Sequence, residues 1–204
     1  MSNETLEQIA EHRKLRIHEP FAEFLNSGKS MYDFEVSLLD CYRMAGHACH
    51  AITGAFLITE AAVLHLFPDT KICERGDLKI GFPSELNEGA TGPKSNVISF
   101  ITGAWADSGF PGLKGEFVRK NLMSYGNGDV PKNAIRFTRL STGKSVLVQY
   151  SPDAVLNESP SDKPFPEKWR IEIHHILEKS EKTIQITHES SSRTCSSDGV
   201  NGCC

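Results

Sequence analysis

Gly46-His47-Ala48-Cys49-His50 stands directly before a long apolar stretch, and no other run in this chain brings together residue types so able to do chemistry. A thiol in the first turn of a helix meets unpaired amide donors and the positive end of the macrodipole, which favour a thiolate. A thiolate there serves either metal ligation or nucleophilic attack. His47 and Cys49 are close in sequence, so their side chains converge only if the backbone turns at Gly46, a turn that glycine permits. One imidazole and one thiolate suit a soft or borderline divalent ion, Zn²⁺ first and Ni²⁺ or Fe²⁺ as alternatives, with His50 or a water completing the set. Two ligands are too few for a structural zinc site. The same residues also read as a buried cysteine packing as a small hydrophobe beside a histidine that caps a helix.

Other reactive types carry weaker patterns. Cys73 at a strand start reads first as packing. His174 and His175 are adjacent on an expected helix and face about 100° apart, so they cannot share a metal as an i, i+4 pair would. Thr91-Gly92-Pro93-Lys94 has the look of a phosphate-binding helix start but lacks the spacing of a P-loop. Cys195, Cys203 and Cys204 crowd the last ten residues, in a Ser/Gly-rich segment with too few apolar residues to bury them. Adjacent cysteines on such a segment could capture a soft ion and pass it on.

The elements that must position these residues can be read from periodicity. Ile52, Phe56, Thr59, Val63 and Leu66 recur at helical spacing from His50 until Pro68 stops the run, and interspersed alanines and Gly54 would let other backbones approach closely. This predicts a buried central helix that begins at the candidate site. A second helix is expected from about Thr91 to Trp105, and a third over 116–125. Residues 134–140 and 145–150 alternate around Ser141-Thr142-Gly143-Lys144, which predicts an antiparallel hairpin. A short strand is expected over 77–82, two short amphipathic helices broken near Pro20 over 5–25, and a further helix around Trp169–Leu177.

With 204 residues, 39% hydrophobic and 24% charged, the chain has the material for one packed domain with an appendage. Lys+Arg 22 against Asp+Glu 26 leaves a formal charge of −4, which offers no field for nucleic acid or anionic lipid. The N-terminal residues lack an apolar leader pattern, so a cytoplasmic location with reduced cysteines is expected.

Residues 41–67, CYRMAGHACHAITGAFLITEAAVLHLF, resemble the GHxCxG-type motif and following helix of the FmdE domain family, named for formylmethanofuran dehydrogenase. GPKSNVISFITGAW (92–105) is similar to that family's second helix, and TGKSVLVQYSP (142–152) to its closing strand. The resemblance spans roughly residues 30–155. It implies an α+β core, a homodimer around a cleft, and a metal or reactive thiol on His47 and Cys49. Pro93 and Ala104 stand where many members carry further cysteines. Gly112-Leu113-Lys114-Gly115 loosely matches a Gly-Lys-Gly stretch, where Lys114 could contact a small anionic substrate.

These readings converge on an α+β fold, with a central small-residue helix and further helices packed on a small antiparallel sheet. The parts are an N-terminal helical segment (1–29), the core (30–155), a linker and C-terminal helix (156–186) and a Cys-containing tail (187–204). As an enzyme it would use Cys49 as metal thiolate or nucleophile, His47 as ligand or proton shuttle, His50 as a further ligand and Lys114 as an electrostatic contact. The alternative is a metal-handling accessory or scaffold protein without turnover. Homodimerisation is expected, and nucleic-acid and membrane partners are not.

Overall fold

The structure, a computed structural model, describes residues 4–157 and 162–189. In chain order the elements are α1 (Leu6–His12), β1 (Lys14–His18), α2 (Pro20–Phe24), α3 (Lys29–Tyr32), β2 (Asp33–Ser37), α4 (Leu38–Ala45) and α5 (His50–Leu66). There follow β3 (Ile72–Glu74), β4 (Leu78–Gly81), α6 (Thr91–Thr102), β5 (Met123–Ser124), β6 (Ala134–Arg139) and β7 (Ser145–Tyr150). The last are α7 (Asp153–Leu156), α8 (Phe165–Glu178), α9 (Ser180–Thr183) and β8 (Ile184–Glu189). The fold is α+β, as expected, and no described helix is long and apolar enough to cross a membrane.

Helix α5 is the centre of the molecule. Every residue from Ile52 to Thr59 is buried, two full turns, which a one-sided amphipathic helix would not show; only toward its end does the helix expose a face, at Leu64 and His65. It packs on β6, β7 and β8 on one side and on α4, α6 and α8 on others. Gly54 is required by this packing, because a Cβ there would lie 2.3 Å from the Tyr150 ring. Arg13 fastens the N-terminal segment to α5 through Glu60 at 2.6 Å and reaches Ser180 Oγ at 3.2 Å, so it ties three parts of the chain together.

The strands form two sheets instead of one small antiparallel sheet: β2-β1-β3, and β5-β4-β6-β7-β8. The hairpin forms as its turn residues predict, with Thr138 opposite Ser145. Each sheet also contains a parallel pair, β1 with β3 and β4 with β5. Residues 5–25 hold two short helices as expected, α1 and α2, but a strand separates them: Leu15 and Ile17 alternate inward on β1, which pairs with β2 and β3, so 13–19 form no helix. Residues 116–125 form no helix either: positive φ at Phe117 (58°) and Asn121 (59°) breaks the helical path. Strand β8 crosses the boundary drawn at 187, since Ile184–Glu189 pairs with β7 over its whole length.

Candidate functional site

Helix α4 begins with a capping box, Ser37 with Asp40, and ends on Gly46, whose φ of 79° is the left-handed turn the sequence requires there. The chain thereby reverses and enters α5 within a few residues. Cys49 is the N-cap of α5, 8% exposed, and its side chain makes no capping hydrogen bond. Its carbonyl accepts from the Thr53 hydroxyl at 2.8 Å. That proton being committed, Tyr42 donates to Thr53 Oγ1 at 2.7 Å, giving a relay from Tyr42 through Thr53 to the Cys49 carbonyl. Tyr150 closes the other side by donating to the His50 carbonyl at 3.2 Å. Burial raises both phenols well above their ordinary range, so they act here as neutral donors.

The two histidines diverge. His47 is exposed, with Nδ1 3.1 Å from the Ala45 carbonyl. A carbonyl can only accept, so Nδ1 carries the proton in the neutral ring and the lone pair stands on Nε2. This is the tautomer usual in a metal-ligating histidine whose other nitrogen is held by a backbone carbonyl. His50 instead stacks on Trp169, with centroids 4.5 Å apart and planes 14° from parallel. Its Nε2 lies 3.2 Å from Glu172 Oε2 without the alignment of a hydrogen bond, which makes the contact an ion pair at most. Burial lowers the His50 imidazole below its usual value, although Glu172 opposes the shift. Trp169 Nε1 donates to the Ala48 carbonyl at 3.0 Å, so α8 clamps the whole junction from outside.

Within one chain, then, His47 and Cys49 remain available as donors and His50 is held toward α8. Among the described residues no three His, Cys, Asp or Glu side chains come together in a set able to hold a metal ion. His47 and Cys49 are two candidate donors, fewer than a closed metal site requires. Cys73 and Cys41 are core residues, each pushed up to about 12 by burial. His174 lies on α8, 3.9 Å from Glu178. Cys195, Cys203 and Cys204 lie outside the described residues.

Lys114 is not brought to this site. Helices α5 and α6 run the same way, since their first turns share Tyr150: its hydroxyl bonds the start of α5, and it lines a cavity with Thr91 at the start of α6. At the opposite end, the Leu66 carbonyl of α5 accepts from Arg139 and the Thr102 carbonyl of α6 accepts from the Gly76 amide. The loop carrying Lys114 belongs to that end, because Trp105 and Arg119 pair there and Phe110 and Phe117 pack on Phe21 of α2. Lys114 itself is exposed, and positive φ at Lys114 (52°) and Gly115 (89°) gives the type I′ turn between Leu113 and Glu116. The length of α6, ~18 Å for its 12 residues, separates this loop from the Cys49 end.

Tyr42, Tyr150, Trp169 and Glu172 escape a motif-based reading of the site. The one sequence signal lies on α8, where Trp169 and Glu172 are three residues apart and therefore share a helix face. No family model matches this chain, and no curated protein matches it.

Proposed function

We propose that the chain is a metal-binding protein of the FmdE type that presents Cys49 and His47 to a divalent transition metal, zinc first, with the remaining positions filled from outside the chain. The observation that carries this reading is the His47 tautomer: the Ala45 carbonyl takes Nδ1–H and leaves the Nε2 lone pair two residues from a thiol at the N-cap position of a 17-residue helix. A bound divalent ion would hold Cys49 as thiolate and supply Lewis acidity. The chain's own residues orient the site. Tyr42 and Thr53 fix the Cys49 backbone, while Trp169 fixes that of Ala48. A homodimer, as in the family resembled, would supply further ligands from a second copy. Whether the site turns over a substrate or only handles metal follows from what fills those positions.

A specific observation favours a second reading, a metal-free reactive thiol: Cys49 stands at the N-cap of α5 and makes no side-chain capping bond, so its sulfur is uncommitted at the positive end of the helix. One experiment separates the two. Metal content is measured on anaerobically purified native protein and on Cys49→Ala and His47→Ala. Loss of metal in both variants is expected, and chelation of the native protein should open Cys49, but not buried Cys41 or Cys73, to iodoacetamide. Metal retained in Cys49→Ala overturns the metal reading, and Cys49 labelling that ignores the chelator points to the thiol alone.

A further inference from the structure

A cavity of about 320 Å³ opens between the first turn of α6, the loop after β4 and the β6–β7 hairpin. Its floor is apolar, made by Ile58, Phe82 and Ile135, and its charged groups are Lys94, Lys132 and Glu88. Lys94 is half-buried, whereas Lys132 and Glu88 stand exposed at the mouth. Among the described residues neither lysine's ammonium has a hydrogen-bond or ion-pair partner. Glu88 does not serve them, because its carboxylate turns back to accept from the Glu85 amide at 3.4 Å. The α6 start adds no side-chain cap of its own, in contrast to the capping boxes of α1 and α4.

We infer that this cavity binds a small organic anion, its carboxylate or phosphate head between Lys94 and Lys132 and its apolar body on the Ile58–Phe82–Ile135 floor. A half-buried ammonium with no counter-charge is destabilised, and an anion supplies the missing partner. Burial accordingly lowers the Lys94 ammonium from its ordinary value. Two ammoniums against one carboxylate leave the site cationic in a chain whose overall charge is −4, so the local field attracts what the whole protein repels. The volume lies at the small end of ligand cavities, which restricts the occupant to a molecule about the size of a substituted benzoate. The inference does not depend on metal or thiol chemistry at Cys49.

Calorimetric titration of the full chain with benzoate, phenyl phosphate and neutral benzyl alcohol tests it. One saturable site per chain is expected for at least one of the two anions, and which binds tighter identifies the head group. Benzyl alcohol should bind at least about tenfold more weakly, the ratio for losing a charge-assisted contact. Lys94→Gln and Lys132→Gln should each weaken anion binding, with Lys94→Gln costing about tenfold, while Lys144→Gln in the distant hairpin turn and Cys49→Ala should bind as the native chain does. Circular dichroism confirms that each variant is folded, and the exposed position of Lys132 makes its variant the safe one. Absence of saturable binding by either anion, equal binding of benzyl alcohol, or indifference to both lysine variants overturns the proposal. So does loss of binding in Cys49→Ala, which would move the anion to the thiol.

Discussion

The two ends of the α5–α6 pair treat their polar groups in opposite ways. At the far end, Asp77 accepts from Arg139 Nε at 2.9 Å and from the Ser141 amide and hydroxyl at 2.8 and 2.7 Å, while Arg139 also donates to the Leu66 carbonyl at 3.0 Å and lies over the Phe67 ring. Beside it, Glu19 pairs with Arg119 and lies 3.6 Å from Arg75 Nε. Charge there is consumed in holding strands, loops and helix ends together. At the near end, Cys49 caps nothing, the Lys94 and Lys132 ammoniums have no partner among the described residues, and His47 offers a lone pair to solvent. Among the described residues each end also keeps one buried nitrogen without a hydrogen bond, Arg75 Nε at one and His50 Nε2 at the other, so neither is perfectly satisfied. The difference lies in what the remaining groups are committed to. An end whose groups are spent on the fold can do little else, and the groups left over mark where ligands go.

That contrast breaks most visibly if the far end is cut. Asp77→Ala leaves Arg139 without its carboxylate and removes the contact that holds the hairpin turn. Breaking this partly buried charged pair costs about 3 kcal/mol, the low end for buried pairs, so a fall in Tm of several degrees is expected in thermal denaturation. Metal content and anion binding, measured below the lowered Tm, should be unchanged. If they fall as well, the two ends are coupled and do not divide the work of folding and binding between them.

The next largest effect sharpens the near end. In Gly54→Ala the added methyl would meet Tyr150 atoms at 2.3 to 2.7 Å, so the ring must move. Overpacking of this kind costs about 1–3 kcal/mol. The displaced ring also gives up its bond to the His50 carbonyl and reshapes the cavity that it lines. The variant should therefore be less stable and bind the anion more weakly, where Asp77→Ala is only less stable. Gly54→Ala binding with native affinity would show that Tyr150 does not shape the cavity.

What the sequence made legible follows the range of the interactions concerned. Helices α5 and α6 and the β6–β7 hairpin were readable because their signals are local: apolar spacing, Pro68 as a stop, and the turn at 141–144. Strands β1 and β2 were not, since Leu15 and Ile17 turn inward only once β1 has paired with β3, more than fifty residues on. The helical periodicity over 116–125 lost to backbone geometry at Phe117 and Asn121, which adapt the segment to pairing with Trp105 and Ala106. At the site, His47, Cys49 and His50 stood out by type and spacing. What separates the two histidines did not, because Trp169 and Glu172 arrive from a helix over a hundred residues away. Lys114 looked like a partner for Cys49 because sequence does not say which end of a helix pair a loop will join.

The smallest expected effect is a pH dependence that belongs to the far end. His18 closes β1 just before Glu19, and its Nδ1 lies 2.8 Å from Asp33, with Glu23 at 3.3 Å and Glu74 at 4.0 Å from Nε2. Burial is the largest single influence and lowers the imidazole, but the Asp33 hydrogen bond and the Glu74, Glu23 and Asp33 charges together outweigh it, so the His18 pKa is raised. A raised histidine favours the fold when protonated. Its stabilisation is complete below the unfolded value of about 6.5 and is lost as pH rises through the higher folded value. Denaturant unfolding of the native chain and of His18→Gln, compared at pH 5.5 and pH 8.5, should give a difference in stability that is larger at the lower pH; because the side chain remains partly exposed, the change is expected to be well under that of Asp77→Ala or Gly54→Ala. A difference that grows toward alkaline pH would mean that His18 is held neutral, and that its three carboxylates are not what ties β1 to β2, β3 and α2.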